Sequence, residues 1–184
     1  MFAGNDLIKK IVMCLVLLLG LVQNCYAQTA AEYLKLGIEY GKKGDLNQAI
    51  SEFTSAIKAD PDLAKAWYNR GLAYSKLNRR DLAIADYTKA IEQDSNYTAA
   101  FFNRGSSYYK TGKADQARAD FEQCIKIKPD EPRPYEAIAY IHFDNKDYEK
   151  AWDAVHKAES LGYKPDNEDL ELLNKLKKAS GKDK

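Results

Sequence analysis

Few residues in this chain are equipped for catalysis or for holding a metal. The 184 residues include two histidines, His142 and His156, and three cysteines, Cys14, Cys25 and Cys124. Zinc and its relatives need three or four His, Cys or carboxylate groups converging at short spacings. His142 and His156 fall in different helical segments, with no Cys or further His at ligand spacing beside them. Both are expected to be structural or surface residues, and no metal is expected. Nothing near Cys124 in sequence would stabilise its thiolate, so it reads as a small core residue. The chain contains no Gly-rich phosphate loop and no nucleophile elbow. These absences lead us to expect neither enzymatic activity nor a cofactor. The 28 basic residues are balanced by 27 acidic ones, a net charge of +1. Binding nucleic acid through a global positive field would need clustered excess Lys and Arg. A composition of 45% hydrophobic and 30% charged residues suits a packed core.

The segment 1–27 reads as an address. Lys9 and Lys10 precede an unbroken apolar run from Ile11 to Val22. As a helix it would span ~18 Å, short of the ~20 residues that cross a bilayer core. The small-x-small sequence Cys25-Tyr26-Ala27 follows, completing the pattern of a cleavable secretory signal. Cleavage after Ala27 is the expectation, giving an exported protein, periplasmic or secreted, with no stable membrane span. The alternative is a membrane tether, through an uncleaved signal or a lipidated Cys25. Removal of residues 1–27 takes Lys9, Lys10 and Asp6 and leaves a formally neutral chain. Cys124 is then its single cysteine, so no internal disulfide can form.

Internal repetition organises the rest of the chain. The segment WYNRGLAY at 67–74 returns as FFNRGSSY at 101–108, which sets a 34-residue period. Units of that length begin at Ala30, Ala64, Thr98 and Pro132. The fourth position is Tyr33, Trp67, Phe101 and Tyr135; the eighth is Gly37, Gly71, Gly105 and Ala139. The eleventh is Tyr40, Tyr74, Tyr108 and His142. These three positions share one helical face. A second face collects the twentieth (Ala49, Ala83, Ala117, Ala151), the twenty-fourth (Phe53, Tyr87, Phe121, Val155) and the twenty-seventh (Ala56, Ala90, Cys124, Ala158). Turn signals at Gly44, Asn78, Gly112 and Asn145-Lys146 separate the two helices. Each unit is therefore an antiparallel helical hairpin that cannot bury its apolar face alone, so the units must stack.

This pattern resembles the tetratricopeptide repeat over residues 30 to about 165. The fold class expected is all-α, a right-handed α-solenoid of four hairpins (30–63, 64–97, 98–131 and 132–165). A capping helix at 166–179 would follow, with Asp166 as N-cap and Leu170, Leu173 and Leu176 as its apolar stripe. A disordered tail at 180–184 is expected to end the chain. Departures from the family pattern are Ser95 in place of a closing Pro, and Ala139, His142 and Val155 in the fourth unit.

The resemblance further implies that the first helix of each unit lines a concave surface. The inward positions expected to bind a peptide are Lys35, Ile38, Lys65, Tyr68, Asn69, Leu72, Phe102, Asn103, Tyr109, Lys110, Arg133 and Tyr140. Leu34, Lys42, Ser75, Lys76, Ser106, Glu136 and Phe143 share that face. Its aromatic residues occupy positions the core is not expected to need, and exposed aromatics mark binding surfaces. Asn69 and Asn103 hold the same repeat position, and an amide can both donate to and accept from a peptide backbone. The lysines should favour an acidic segment. Relatives that hold the terminal carboxylate of a chaperone tail use Lys and Asn, then Asn, then Lys and Arg in successive units. Here Asn69 matches, but Leu34, Ile38, Ala99 and Asn103 fill the other places, so that activity is not expected. The function expected is a non-catalytic scaffold or adaptor that binds an extended protein segment, in the assembly of an envelope complex. The alternative is a self-associating structural scaffold without a dedicated peptide ligand.

Overall fold

The computed structural model describes Met13, residues 29–164 and residues 167–180. The expected signal peptide, the Asp166 cap and positions 181–184 therefore lie outside the described residues, Met13 apart. Among the described residues the chain is helical, without strands. Helix α1 covers 29–43. It is followed by α2 (Leu46–Ala59), α3 (Ala64–Lys76), α4 (Arg80–Gln93), α5 (Thr98–Lys110), α6 (Ala114–Ile127), α7 (Arg133–Asp144), α8 (Tyr148–Ser160) and α9 (Asn167–Ser180). Consecutive helices pack as hairpins, and each second helix then packs on the first helix of the next unit. This is the expected α-solenoid of helical hairpins.

The turns inside the hairpins repeat the same backbone solution. Gly44, Asn78, Gly112 and Lys146 each have positive φ, between 61° and 84°. They recur once per unit, in phase with the repeat. Gly and Asn visit this left-handed region readily, whereas Lys146 carries a cost of about 1 kcal/mol there.

The core follows the repeat. Ala49, Ala83, Ala117 and Ala151 are all fully buried, as are Ala56, Ala90 and Cys124. Phe53, Tyr87, Phe121 and Val155 are buried at the twenty-fourth position. The three rings among them lie against the glycine at the eighth position. A Cβ on Gly71 would come within 2.8 Å of Tyr87, and one on Gly105 within 2.8 Å of Phe121. Only the fourth unit pairs Ala139 with the smaller Val155, so the two departures compensate one another.

The closing prolines of two units accept from the aromatic residue that opens the next. Trp67 Nε1 donates to Pro61 O at 2.7 Å, and Tyr135 Oη donates to Pro129 O at 3.1 Å. The corresponding bond is missing after Ser95, since Phe101 has no polar hydrogen to give, and nothing in the structure explains the serine itself. Helix α9 packs on α8, burying Leu176 as expected. Leu172, which is not in the expected stripe, is buried beside it. Spacing of four puts both on one helical face. The Leu170 and Leu173 side chains lie outside the described residues.

Candidate functional site

Curvature decides which face can receive a ligand. Helix α3 meets α5, and α5 meets α7, while the second helices α4, α6 and α8 contact each other less. The first helices are therefore the closely spaced inner layer, and their free sides line the concave surface.

A polar scaffold missed by sequence reasoning holds these helices in register. The Arg70 guanidinium donates twice to Asp86, at 2.8 Å to each carboxylate oxygen, and reaches back to Thr54 Oγ1 in the preceding unit at 3.0 Å. One repeat later, Arg104 makes the same three contacts, at 2.8 and 2.7 Å to Asp120 and 3.0 Å to Thr88 Oγ1. Each threonine hydroxyl donates to the carbonyl four residues back, Ile50 or Ile84, which leaves its lone pairs for the arginine. Trp67 and Tyr74 flank Arg70, and Phe101 and Tyr108 flank Arg104, at 4.9 to 5.9 Å from ring centroid to guanidinium. Burial opposes the charge on each arginine, and the paired carboxylate more than offsets it, so both pKa values lie above the usual range. Fork-on-fork pairs of this kind are geometrically specific. The signal was present in the sequence as an Arg, Asp and Thr recurring at the 34-residue period. It needed three partners from two units to be recognised.

The structure does not gather all the expected groove residues in one place. Ile38, Asn69 and Leu72 come together, with Lys42 and Lys76, around a cleft between α1 and α3. Phe102 and Arg133 come together at a second, smaller cleft by the α6–α7 loop. Arg133 lies over the Phe102 ring at 4.9 Å and pairs with Glu131 at 2.8 Å. Lys35, Lys65 and Lys110 are exposed and line neither cleft, and the half-buried Tyr140 also lines neither.

The aromatic residues of the groove are not free of the core, contrary to expectation. Tyr68 is half-buried, with its ring 4.8 Å from Tyr97 and 5.9 Å from Tyr87. Phe102 lies 5.5 Å from Phe121, and Phe143 lies 5.8 Å from Tyr148. Tyr109 packs against the buried cluster that holds Phe121 and Ile141, and Tyr140 against the one that holds Ala151 and Trp152. Leu34, also expected in the groove, packs against the buried cluster of Ala56, Ile57 and Ala66. The reason is that the two helices of one hairpin sit close enough for a large side chain on the first to reach a ring on the second or in the loop that follows it, as Tyr68 does with Tyr87 and Tyr97. Burial raises the Tyr68 pKa and pushes Tyr97 up to about 12.

The two asparagines are tied down without being used up. Asn69 Nδ2 donates to Lys65 O at 2.7 Å. Asn103 Nδ2 donates to Ala99 O at 2.9 Å and to Tyr68 Oη at 3.0 Å, across one repeat. In both residues the amide oxygen is left to accept from an incoming N–H. Tyr109 Oη donates to Asp144, a second bridge between units. Glu131 pairs with Arg133, so that cation is not free, while Lys42 and Lys76 are the groove lysines that line a cleft.

Among the described residues no group of three His, Cys, Asp or Glu could hold a metal ion. His156 stacks on Trp152 at 5.2 Å. Cys124 is buried, and desolvation pushes its thiol up to about 12. No helix among the described residues is long and apolar enough to cross a membrane.

Comparison with known proteins agrees with this geometry. A family profile described as "Tetratricopeptide repeat" matches residues 64–97 and 98–131, and one described as "TPR repeat" matches 37–78. Among solved structures, MamA is similar with a TM-score of 0.70 and 28% identity, over 72% of this chain and 78% of that one. The second tetratricopeptide domain of Spaghetti (RPAP3), bound to the HSP90 peptide SRMEEVD, is similar with a TM-score of 0.56 and 33% identity. That likeness spans 58% of this chain and 97% of the domain. An uncharacterized protein of Methanocaldococcus jannaschii is 42% identical over 41 residues, 22% of this chain. The match spans about half of that curated relative's length, 48%. The profiles together span residues 37–131, a little over half of the chain, and the hairpin packing carries the same signature outward on both sides. The chain belongs to the tetratricopeptide repeat family.

Proposed function

We propose that the chain is a non-catalytic protein-interaction adaptor that takes an extended segment of a partner into its concave groove. The observation that carries this reading is the pair of asparagines, Asn69 and Asn103. Each is anchored through Nδ2, and each keeps an amide oxygen for a peptide backbone. Fixing the side chain beforehand lowers the entropic cost of binding. The RPAP3 domain, bound to its HSP90 peptide, is an example of the same fold serving this purpose. Leu34, Ile38 and Ala99 stand where a terminal-carboxylate clamp would need polar groups, so the segment recognised here is not a chaperone tail. The signal-like residues 1–27, with cleavage after Ala27, support action in an exported compartment, in the assembly of an envelope complex. The repeats at 30–63, 64–97, 98–131 and 132–165 are its working units, and residues 166–179 form its cap.

Affinity capture from the exported fraction tests this, with the chain compared against Asn69→Ala/Asn103→Ala. A protein lost specifically in the variant places that partner in the groove; equal capture by both forms refutes groove binding. Tyr33 and Leu36, 37% and 39% exposed on α1, favour one competing reading, self-association through the N-terminal edge. Recovery of only the bait's own copies, with molecular size rising with concentration, would establish that reading instead.

A further inference from the structure

Between α1, α2 and α3 the groove sinks into a cleft of about 190 Å³. Sites that enclose a whole small molecule run to ~300–1,000 Å³, so this one has room for a single side chain. Its lining combines apolar Ile38, Phe53 and Leu72 with Lys42, Lys76 and Asn69. Both lysines are exposed, and neither is ion-paired among the described residues, unlike Arg133 or Arg118. Each lies in the last turn of its helix, where a cation offsets the helix dipole. That role leaves all three ammonium protons available to a ligand. Asn69 spends one amide proton on Lys65 O and keeps its oxygen and second proton. An apolar seat, two unpaired cations and an amide thus meet within one cleft.

We propose that this cleft is a specificity subsite for an internal pair of residues in the bound segment, a branched aliphatic residue followed by Asp or Glu. The aliphatic side chain sits on Ile38, Phe53 and Leu72. The carboxylate lies between Lys42 and Lys76, and Asn69 holds the backbone between the two. The proposal rests on the groove reading above and gives it a ligand chemistry. The partner's chain end takes no part, because the carboxylate recognised is a side chain's.

A randomised octapeptide library displayed on phage with both peptide ends blocked by fusion, selected on the full-length chain, tests it. The expected result is enrichment of Leu, Ile or Val followed by Asp or Glu. In fluorescence polarisation, replacing that acid by its amide should weaken binding about tenfold at low salt. Lys42→Ser/Lys76→Ser, at exposed positions that folding does not need, should abolish the preference for the acid while keeping that for the aliphatic residue. Sequences lacking the pair, or enrichment indifferent to the lysine substitutions, would overturn the subsite. If Asn103→Ala still abolished binding of those sequences, the groove reading would stand without it. No enrichment of any sequence would overturn both.

Discussion

Replacing Arg104 by Ile is the most searching test of how the repeats are held together. Asp120 is 4% exposed, and its two oxygens are both taken by the Arg104 fork at 2.8 and 2.7 Å. The Arg104→Ile change removes the fork and leaves a carboxylate buried without its cation, a loss of about 3–5 kcal/mol. Set against a typical total of ~5–15 kcal/mol, that is a large share. At this chain length it lowers Tm by about 10 °C. The fourth unit shows how the defect can be repaired, since it carries Ile138 and Ala154 at the equivalent places. Arg104→Ile/Asp120→Ala should therefore return to within about 1 kcal/mol of the parent, because removing both partners of a buried pair is often neutral. The assay is urea unfolding followed by helical circular dichroism, completed by Asp120→Ala to close the cycle. With Trp152→Phe or Trp67→Phe as background, fluorescence reports the second or the fourth unit alone, so local unfolding would show as non-coincident transitions. Added salt should change the coupling little, since a buried pair is poorly screened. A single-variant loss below about 1 kcal/mol, or a double variant less stable than Arg104→Ile alone, would refute the reasoning.

Three further outcomes concern the core. Gly105→Ala places a Cβ 2.8 Å from Phe121 and 3.2 Å from Ala117 O. Overpacking of ~1–3 kcal/mol outweighs the ~1 kcal/mol gained in helix propensity, and Phe121→Val should relieve it; a raised Tm for Gly105→Ala alone refutes this. Tyr87 Oη is buried without a hydrogen-bond partner, Ser75 being near but outside bonding geometry, while Phe fills the same place in two sister units. Tyr87→Phe should raise stability by about 1 kcal/mol in urea titration, and a loss would mean the hydroxyl is satisfied after all. Burial raises Cys124 from 9.0 to about 12 and Tyr97 from 10.0 to about 12. The unfolded chain thus ionises first, and the stability these groups contribute is full below about pH 9 and lost between pH 9 and 12. Stability flat across that window, or native Cys124 that reacts with a thiol reagent as fast as the unfolded chain, would contradict this.

The groove was partly legible. Repeat phase sets Asn69 and Asn103 one unit apart, and in the structure Asn103 reaches back one unit to Tyr68 Oη. What phase does not carry is the fate of each side chain. Tyr68 could be assigned to the concave side from its position alone. That it leans on Tyr97 and receives Asn103 depends on the spacing between helices, which the pattern leaves open. The same holds for charge. Arg133 counts as a free cation until Glu131 is brought against it.

By itself the sequence determined the hairpin, its length, its turns and the small-against-large pairing of its two helices. Those depend on a local period and on residue volume, and 34-residue recurrence states both four times over. Tertiary structure alone decided the links between units: the Arg–Asp–Thr clamps, the Trp67 and Tyr135 bonds to the preceding proline carbonyls, and the cleft beneath Lys42 and Lys76. Each joins residues that no helical period relates. They meet only once one hairpin has packed on the next, and the angle of that packing sets which of them are spent on the fold and which stay open to a partner.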